Sequence, residues 1–250
     1  MPNELPGTRR VEQIMGLPIV VDVRDHDVDD EVLEQVFAWL REVDATFSTY
    51  CEDSVISRIA RDELLREDAP AQVRAVLDRC DELRRETDGY FDACYGGSLD
   101  PSGLVKGWAV DRAATILDQA GLRNFAINAG GDIRLRGRAV PEPSWRVGIQ
   151  HPLERGAVAA VVSGSDLAVA TSGAYARGEH VIDPHRGRAP EGVLSVTITG
   201  PELATADAYA TAAFAMGEDG PHWSARLAGY EALTITSDRR VLATPGFPRV

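Results

Sequence analysis

The sequence predicts an α+β fold, with helices and strands segregated along the chain. Amphipathic helical segments dominate the first half, and the second half reads as a succession of short strands. One further helix falls late among those strands, so the order is not a regular βαβ alternation.

Residues 14–23 read as the first strand. Residues 30–45 place Val32, Leu33, Val36, Phe37, Leu40 and Val43 on one helical face. Residues 70–86 repeat the pattern with Val73, Val76, Leu77, Cys80 and Leu83, and Gly89 follows as a stop. A Gly-rich turn leads into a third helix over 104–120, with Gly121 as its cap. Strands are then expected at 124–129, 132–137, 145–150, 157–163, 167–171 and 193–199. The late helix carries Asp207 and Thr211, with Thr205 as a candidate N-cap. A hairpin of 232–236 and 241–244, turning at Ser237-Asp238, ends the series.

The 250 residues are 44% hydrophobic, enough for a sizeable core in one large domain or two intimately packed halves. A formal net charge of -13 argues against non-specific nucleic-acid binding, which needs Lys and Arg to neutralise phosphates. It leaves room for a phosphate-bearing ligand, because a metal ion can supply local positive charge. No stretch is long and apolar enough to span a bilayer. The first residues lack the basic start and apolar run of a secretory signal, so the expected location is cytoplasmic, with no membrane partner. Cys51, Cys80 and Cys94 form no CxxC pair and read as free thiols. Neither HExxH nor a Cys/His cluster with zinc spacing is present.

Four stretches carry chemistry. Asp207 and Thr211 lie four apart on a helix, so a carboxylate and a hydroxyl share a face. That pair suits Mg²⁺, a hard cation that takes oxygen ligands and completes its shell with waters and phosphate oxygens. Taken alone, the same pair reads as helix capping and surface polarity. Residues 128–132, Asn-Ala-Gly-Gly-Asp, follow a strand but precede another strand, which excludes a dinucleotide fingerprint. They read as a tight turn needing positive φ, or as backbone touching a ligand. In residues 100–111 the glycines before a helix allow close backbone approach to an anion. Lys106 there could meet a phosphate or be a solvated surface lysine, and Asp100 could accept hydrogen bonds from a ligand. Thr171-Ser172-Gly173 at a strand end suits ligand contact; His180 could be a base or a structural residue, and Asp183-Pro184 reads as a turn.

Taken together, these segments resemble the ApbE family of FAD:protein FMN transferases. The matching pieces follow the family's order. They are Met15-Gly16, Phe47-Ser48-Thr49-Tyr50 with Asp53-Ser54, and Asp88-Gly89-Tyr90-Phe91-Asp92. Residues 100–111, 128–132, Thr171-Ser172-Gly173, 180–184 and 206–211 running on to Met216-Gly217 complete the set. The resemblance covers nearly the whole chain and implies one domain over residues 1–250. It implies a T-fold-like α+β architecture, two intimately packed halves with an active-site cleft between them.

The resemblance also implies an activity: Mg²⁺-dependent transfer of FMN from FAD to a Thr or Ser hydroxyl of an acceptor protein, releasing AMP. FAD is then a substrate and Mg²⁺ the cofactor. Carried over by position, Asp207 and Thr211 are metal ligands, helped by backbone carbonyls near Gly103 and Ala210. Met15, Tyr50, Phe91, Asp92, Asp100, Lys106, His180 and Ile182 form the FAD-contacting set. Asp207, His180 and Lys106 take catalytic roles, with His180 the first candidate for the base that receives the acceptor's proton and Asp207 the second. An FAD pyrophosphatase, with water replacing the acceptor hydroxyl, uses the same residues; a non-catalytic flavin binder would not need the metal pair. Whether the chain is a monomer or a homodimer stays open. Two departures stand out. Only residues 93–99 separate Asp92 from Asp100, where the family commonly carries a long insertion that shapes part of the flavin site. Leu17 stands where a Thr or Ser often follows Met-Gly.

Overall fold

Residues 8–23, expected to hold one strand from residue 14, form a hairpin instead. β1 (Thr8–Ile14) and β2 (Leu17–Val23) pair antiparallel across a turn at Met15-Gly16, where φ is 56° and 71°. β1 escaped the sequence reading because it is a sheet-edge strand whose outward residues, Arg9, Val11 and Gln13, keep alternate positions in water. The computed structural model describes residues 7–173 and 181–250.

Helix α1 (Asp30–Phe47) begins where the Asp29 carboxylate accepts the Glu31 N–H at 2.9 Å. Its buried stripe is Leu33, Val36, Phe37, Leu40, Val43 and Phe47. The short α2 (Val55–Ala60), capped by Ser54 Oγ, was not expected; six residues are too few for periodicity to declare a helix. α3 (Ala71–Glu86) buries Val73, Val76, Leu77, Cys80 and Leu83 as its spacing predicts, and Gly89 at φ 80° ends it, its N–H donating to Arg84 O. α4 (Ser102–Gln119) starts two residues earlier than expected, because Asp100 Oδ1 accepts the Ser102 N–H at 3.0 Å. Gly103 therefore lies inside the helix, as Gly107 does, rather than before it.

β3 (Phe125–Ala129) and β4 (Asp132–Arg136) form a hairpin through Gly130 and Gly131, both at positive φ. β5 (Trp145–Gln150) and β6 (Val158–Gly164) form a separate two-stranded ribbon. β7 (Leu167–Gly173), β8 (Val193–Gly200), β9 (Glu231–Thr236) and β10 (Val241–Ala243) complete an eight-stranded sheet in the order β1-β2-β3-β4-β7-β8-β9-β10. Neighbouring strands in it pair antiparallel, as α+β requires. α5 (Leu203–Ala215) and the five-residue α6 (Gly220–Ser224) lie between β8 and β9 in sequence.

The helices cover one face of this sheet and the β5–β6 ribbon covers the other. On the helical face, Ile19, Val21, Phe125 and Ile127 meet the buried sides of α1, α4 and α5. On the opposite face, Trp145, Val147, Ile149 and Val162 pack against Leu135, Val169, Leu233 and Ile235, with Phe247 beside them. Among the described residues, no helix is long and apolar enough to cross a membrane. Cys51 and Cys94 are exposed and Cys80 buried, each a free thiol. Burial pushes the Cys80 thiol up to about 12.

α5 differs most from the expectation at its start. Thr205 does not cap it: the helix begins at Leu203, and Thr205 Oγ1 turns back to Glu202 Oε2 at 3.3 Å. The cap comes from α4, where Asp111 Oδ2 accepts the Ala204 N–H at 2.9 Å. No local signature could announce it, because donor and acceptor stand 93 residues apart in sequence. Burial raises the Asp111 carboxyl above its usual range, although hydrogen bonds from the Ala204 and Leu203 backbone pull it down. Asp111→Ala is expected to destabilise the protein by about 1–2 kcal/mol through the lost cap. Thermal melts would show it; a melting temperature equal to that of the parent would mean that the contact carries no stability.

Candidate functional site

α4 and α5 lie side by side on the sheet, and their closeness follows from composition. α5 carries seven alanines in Leu203–Ala215, and its described residues are buried except Ala204, Tyr209 and Thr211, which are half-buried. Gly107 of α4 faces its start, and a Cβ there would lie 2.7 Å from both Ala204 Cα and Leu203 O. Small side chains thus bring Lys106, one residue before Gly107, against Asp207.

The end of the sheet beneath these helices opens. β4 and β7 pair only over Ile133↔Val169, Arg134↔Ala168 and Leu135↔Leu167. Beyond that, the Thr171 N–H donates to the side chain of Asp132, Oδ1 at 2.9 Å, instead of to a backbone carbonyl. The two strands splay there, and a cavity of about 550 Å³ fills the space between them, the helices and the loops at 90–98 and 181–184. That size suits a substantial organic ligand.

Its floor is polar. Asp132 and Asp207 are 3% and 4% exposed. Lys106 forms an ion pair with Asp132 and lies 3.4 Å from Asp207 Oδ2. Thr211 Oγ1 is 3.4 Å from Ser172 Oγ on β7. A Cβ on Gly103 would sit 3.9 Å from Thr211 Oγ1 and 3.1 Å from the Phe91 ring, so that glycine lets ring and hydroxyl approach α4. The rim is aromatic and apolar, with Tyr50, Tyr90, Phe91, Tyr95, Val181 and Ile182. Tyr50 is 97% exposed, a ring held in water at the mouth. Burial and the nearby Asp183 raise the Tyr90 phenol above its usual range.

Of the residues singled out in the sequence, Tyr50, Phe91, Asp92, Asp100, Gly103, Lys106, Ile182, Asp207 and Thr211 line this one cavity. Asp92 receives the Cys94 N–H at 2.8 Å and meets Arg84 at 3.3 Å, so part of its capacity is already used in shaping the short link. Asp100 likewise spends one oxygen on the start of α4. Met15 and Ala210 are not in the cavity wall. Met15 sits in the β1–β2 turn with its N–H donating to Asp44 Oδ2 at 3.1 Å, and Ala210 is fully buried within α5. His180 lies outside the described residues.

Tyr95 lines the cavity but was not singled out, and Asp132 and Ser172, which also line it, stood only within quoted motifs and were given no individual role. Asp132 was visible as the residue after a double glycine, and Ser172 as a hydroxyl at a strand end. The short link also shows its construction: Gly96 and Gly97 adopt φ 67° and 80°, which reverses the chain within residues 93–99. Leu17, the other departure, is 7% exposed and packs beneath Gly130, where a Cβ would come within 3.1 Å of its Cδ2. Asp183, read as a turn residue, is buried and receives the N–H groups of His185 and Arg186, while His185 Nε2 lies 2.8 Å from Asp88 O.

Among the described residues, no group of three or more His, Cys, Asp and Glu side chains forms a metal cluster. The donors on the floor are nonetheless hard oxygens: two carboxylates and two hydroxyls beside a space open to ligand. That set fits Mg²⁺, which needs only one or two carboxylates when waters and phosphate oxygens supply the rest.

Known proteins resemble this chain along most of its length. A family model described as the ApbE family matches residues 15–98 and 95–234. A Rhodobacter capsulatus protein named FAD:protein FMN transferase is 38% identical over 156 residues, covering 59% of this chain and 30% of that protein. One of the same name from Vibrio cholerae is 37% identical over 131 residues, covering 48% of this chain and 39% of the relative, so the match spans less than half of either protein. A Haemophilus influenzae relative is 26% identical over 253 residues and covers 74% and 72%. The solved flavin transferase ApbE from Vibrio cholerae superposes with a TM-score of 0.85 at 25% identity, covering 97% of this chain and 99% of that one. The ApbE protein of Thermotoga maritima gives the same score and coverage at 22% identity.

Proposed function

The chain belongs to the ApbE family, and on that premise we propose that it transfers FMN from FAD to a Thr or Ser hydroxyl of an acceptor protein, with Mg²⁺ as cofactor. The observation that carries the reading is the convergence of Lys106, Asp132, Asp207, Thr211 and Ser172 on one polar floor beneath an aromatic rim. A pyrophosphate and its cation match the floor, and an isoalloxazine matches the rim.

In the reaction the acceptor oxygen bonds to the FMN phosphorus. The bond from that phosphorus to the bridging oxygen breaks, and AMP leaves with the electron pair. The hydroxyl proton passes to a base within hydrogen-bond reach. Catalysis of this kind is mainly positioning and charge neutralisation. Asp207 and Thr211, with the backbone carbonyl of Gly103, would hold the metal, whereas Ala210 lies outside the cavity wall. When bound, Mg²⁺ supplies positive charge to the phosphate oxygens as the bond breaks. Lys106 adds a second positive charge from α4, and the small residues of α5 keep it close. Tyr50 and Phe91 offer faces and edges to the flavin ring. His180 is the first choice for the base and Asp207 the second; full transfer rates in His180→Ala at saturating FAD would remove His180 from that role.

The test combines purified protein, FAD, Mg²⁺ and a Thr-bearing acceptor domain from a flavinylated protein. Flavin fluorescence on a denaturing gel and AMP in solution are followed together. The expected result is a fluorescent acceptor band with AMP release, both lost on adding EDTA. AMP without a labelled band would replace the transferase reading by FAD hydrolysis. Neither signal, with FAD still bound, would reduce the protein to a flavin binder.

A further inference from the structure

We propose that Lys106 is the built-in counter-cation of this site: its ammonium occupies the place beside Asp132 and Asp207 for which a divalent cation competes, and Asp132 is its anchor. The inference rests on the reading of Asp207 as a metal ligand given above.

Two carboxylates as deeply buried as Asp132 and Asp207, lining one cavity, are costly to bury without a positive charge beside them. The Lys106 ammonium does so, paired with Asp132 and 3.4 Å from Asp207 Oδ2. The three groups differ in freedom. Asp132 is pinned, because its other oxygen takes the Thr171 N–H where β4 and β7 part. Lys106 is 20% exposed on a four-carbon stem and can swing into the cavity. Asp207 shares its helical face with Thr211, so its carboxylate is the one that a metal would need.

A cation arriving at Asp207 therefore meets the ammonium first. It displaces the lysine toward Asp132, which keeps the charge inside the site and leaves the ammonium facing whatever anion the metal brings. The site in this way stays electrically satisfied when empty, and holds metal weakly until a phosphate-bearing ligand takes up the displaced charge.

The test measures divalent-cation binding to the full chain without FAD, by the electron paramagnetic resonance signal of free Mn²⁺ and by calorimetry with Mg²⁺. Lys106→Met and Lys106→Gln are both expected to bind Mn²⁺ about tenfold tighter or more, since each removes a unit positive charge from within about 4 Å of a metal ligand. Asp132→Asn keeps an oxygen for Thr171 but releases the lysine to Asp207, and is expected to weaken binding by about tenfold. Thermal melts verify that each variant folds. Unchanged or weaker affinity in both lysine variants overturns the counter-cation, as does an absence of binding in the parent and in both of them. Unchanged or tighter binding in Asp132→Asn overturns the anchor. Asp207→Asn separates this inference from its premise: if it binds Mn²⁺ as the parent does, Asp207 is not the ligand, whereas lost binding there with inert lysine variants overturns the counter-cation alone.

Discussion

Asp207→Asn is expected to lower the rate of FMN transfer at saturating FAD and Mg²⁺ by about 100-fold or more. Changing groups that merely support a metal ligand costs about 10–100-fold, and Asp207 is proposed as a ligand itself. The substitution is nearly isosteric and the residue is 4% exposed, so packing in α5 should persist and the melting temperature should hold. Thr211→Val, which keeps volume and removes the hydroxyl, should cost less, about tenfold, because water can take its place on the metal. Raising Mg²⁺ should recover part of the Thr211→Val loss and little of the Asp207→Asn loss. A single-turnover assay under an Mg²⁺ titration measures both. An Asp207→Asn protein within threefold of the parent, with the same Mg²⁺ dependence, would remove this carboxylate from the chemistry.

Gly107→Val is expected to damage stability and activity together. The new side chain points at the Ala204 Cα and the Leu203 carbonyl, both backbone and neither able to turn aside. α4 and α5 must move apart, and overpacking of this kind costs about 1–3 kcal/mol. For a chain of this size each kcal/mol lowers the melting temperature by about 2–4 °C. The same movement parts Lys106 from Asp207, and a misplacement of about 1 Å in a catalytic group can cost about 100-fold in rate. Gly107→Ala should be milder, because alanine regains about 1 kcal/mol of helix propensity against the clash. Calorimetry and the transfer assay read the two effects. Parent-like values in both for Gly107→Val would mean that the helices are not held together by this close approach.

The parts of this molecule that were legible in its sequence are those where periodicity or a special backbone angle leaves a local trace. α1 and α3 were found because apolar residues recur at helical spacing. The β3–β4 turn was found because Gly130 and Gly131 need positive φ, and the strand after it excluded a dinucleotide site. Gly130 and Asp132 of that stretch border the cavity, so residues 128–132 form the tight turn read from the sequence and also face the space where a ligand is proposed. β1 was missed because an edge strand with arginines at exposed positions has no apolar stripe. The cap of α5 was missed because Asp111 reaches it across the fold, and Thr205 was the only local candidate. Asp132 stood within a quoted motif, but its pairing with Lys106 joins a strand to a helix 26 positions earlier, a relation that sequence spacing cannot express. The cavity residues Tyr50, Phe91, Lys106, Asp207 and Thr211 were legible only through the order of motifs, since each alone has an ordinary structural explanation.

The cavity draws its walls from stretches as far apart as Tyr50 and Thr211, and each arrives on a different element. Such a site has no nucleus of its own. It comes into existence when the last long-range pairings close, late in a folding process already slowed by non-local strand contacts. A flavin nucleotide bound there would report complete assembly rather than any local structure. It would also stabilise the entire native state through mass action, joining elements that are remote in sequence into one cooperative unit.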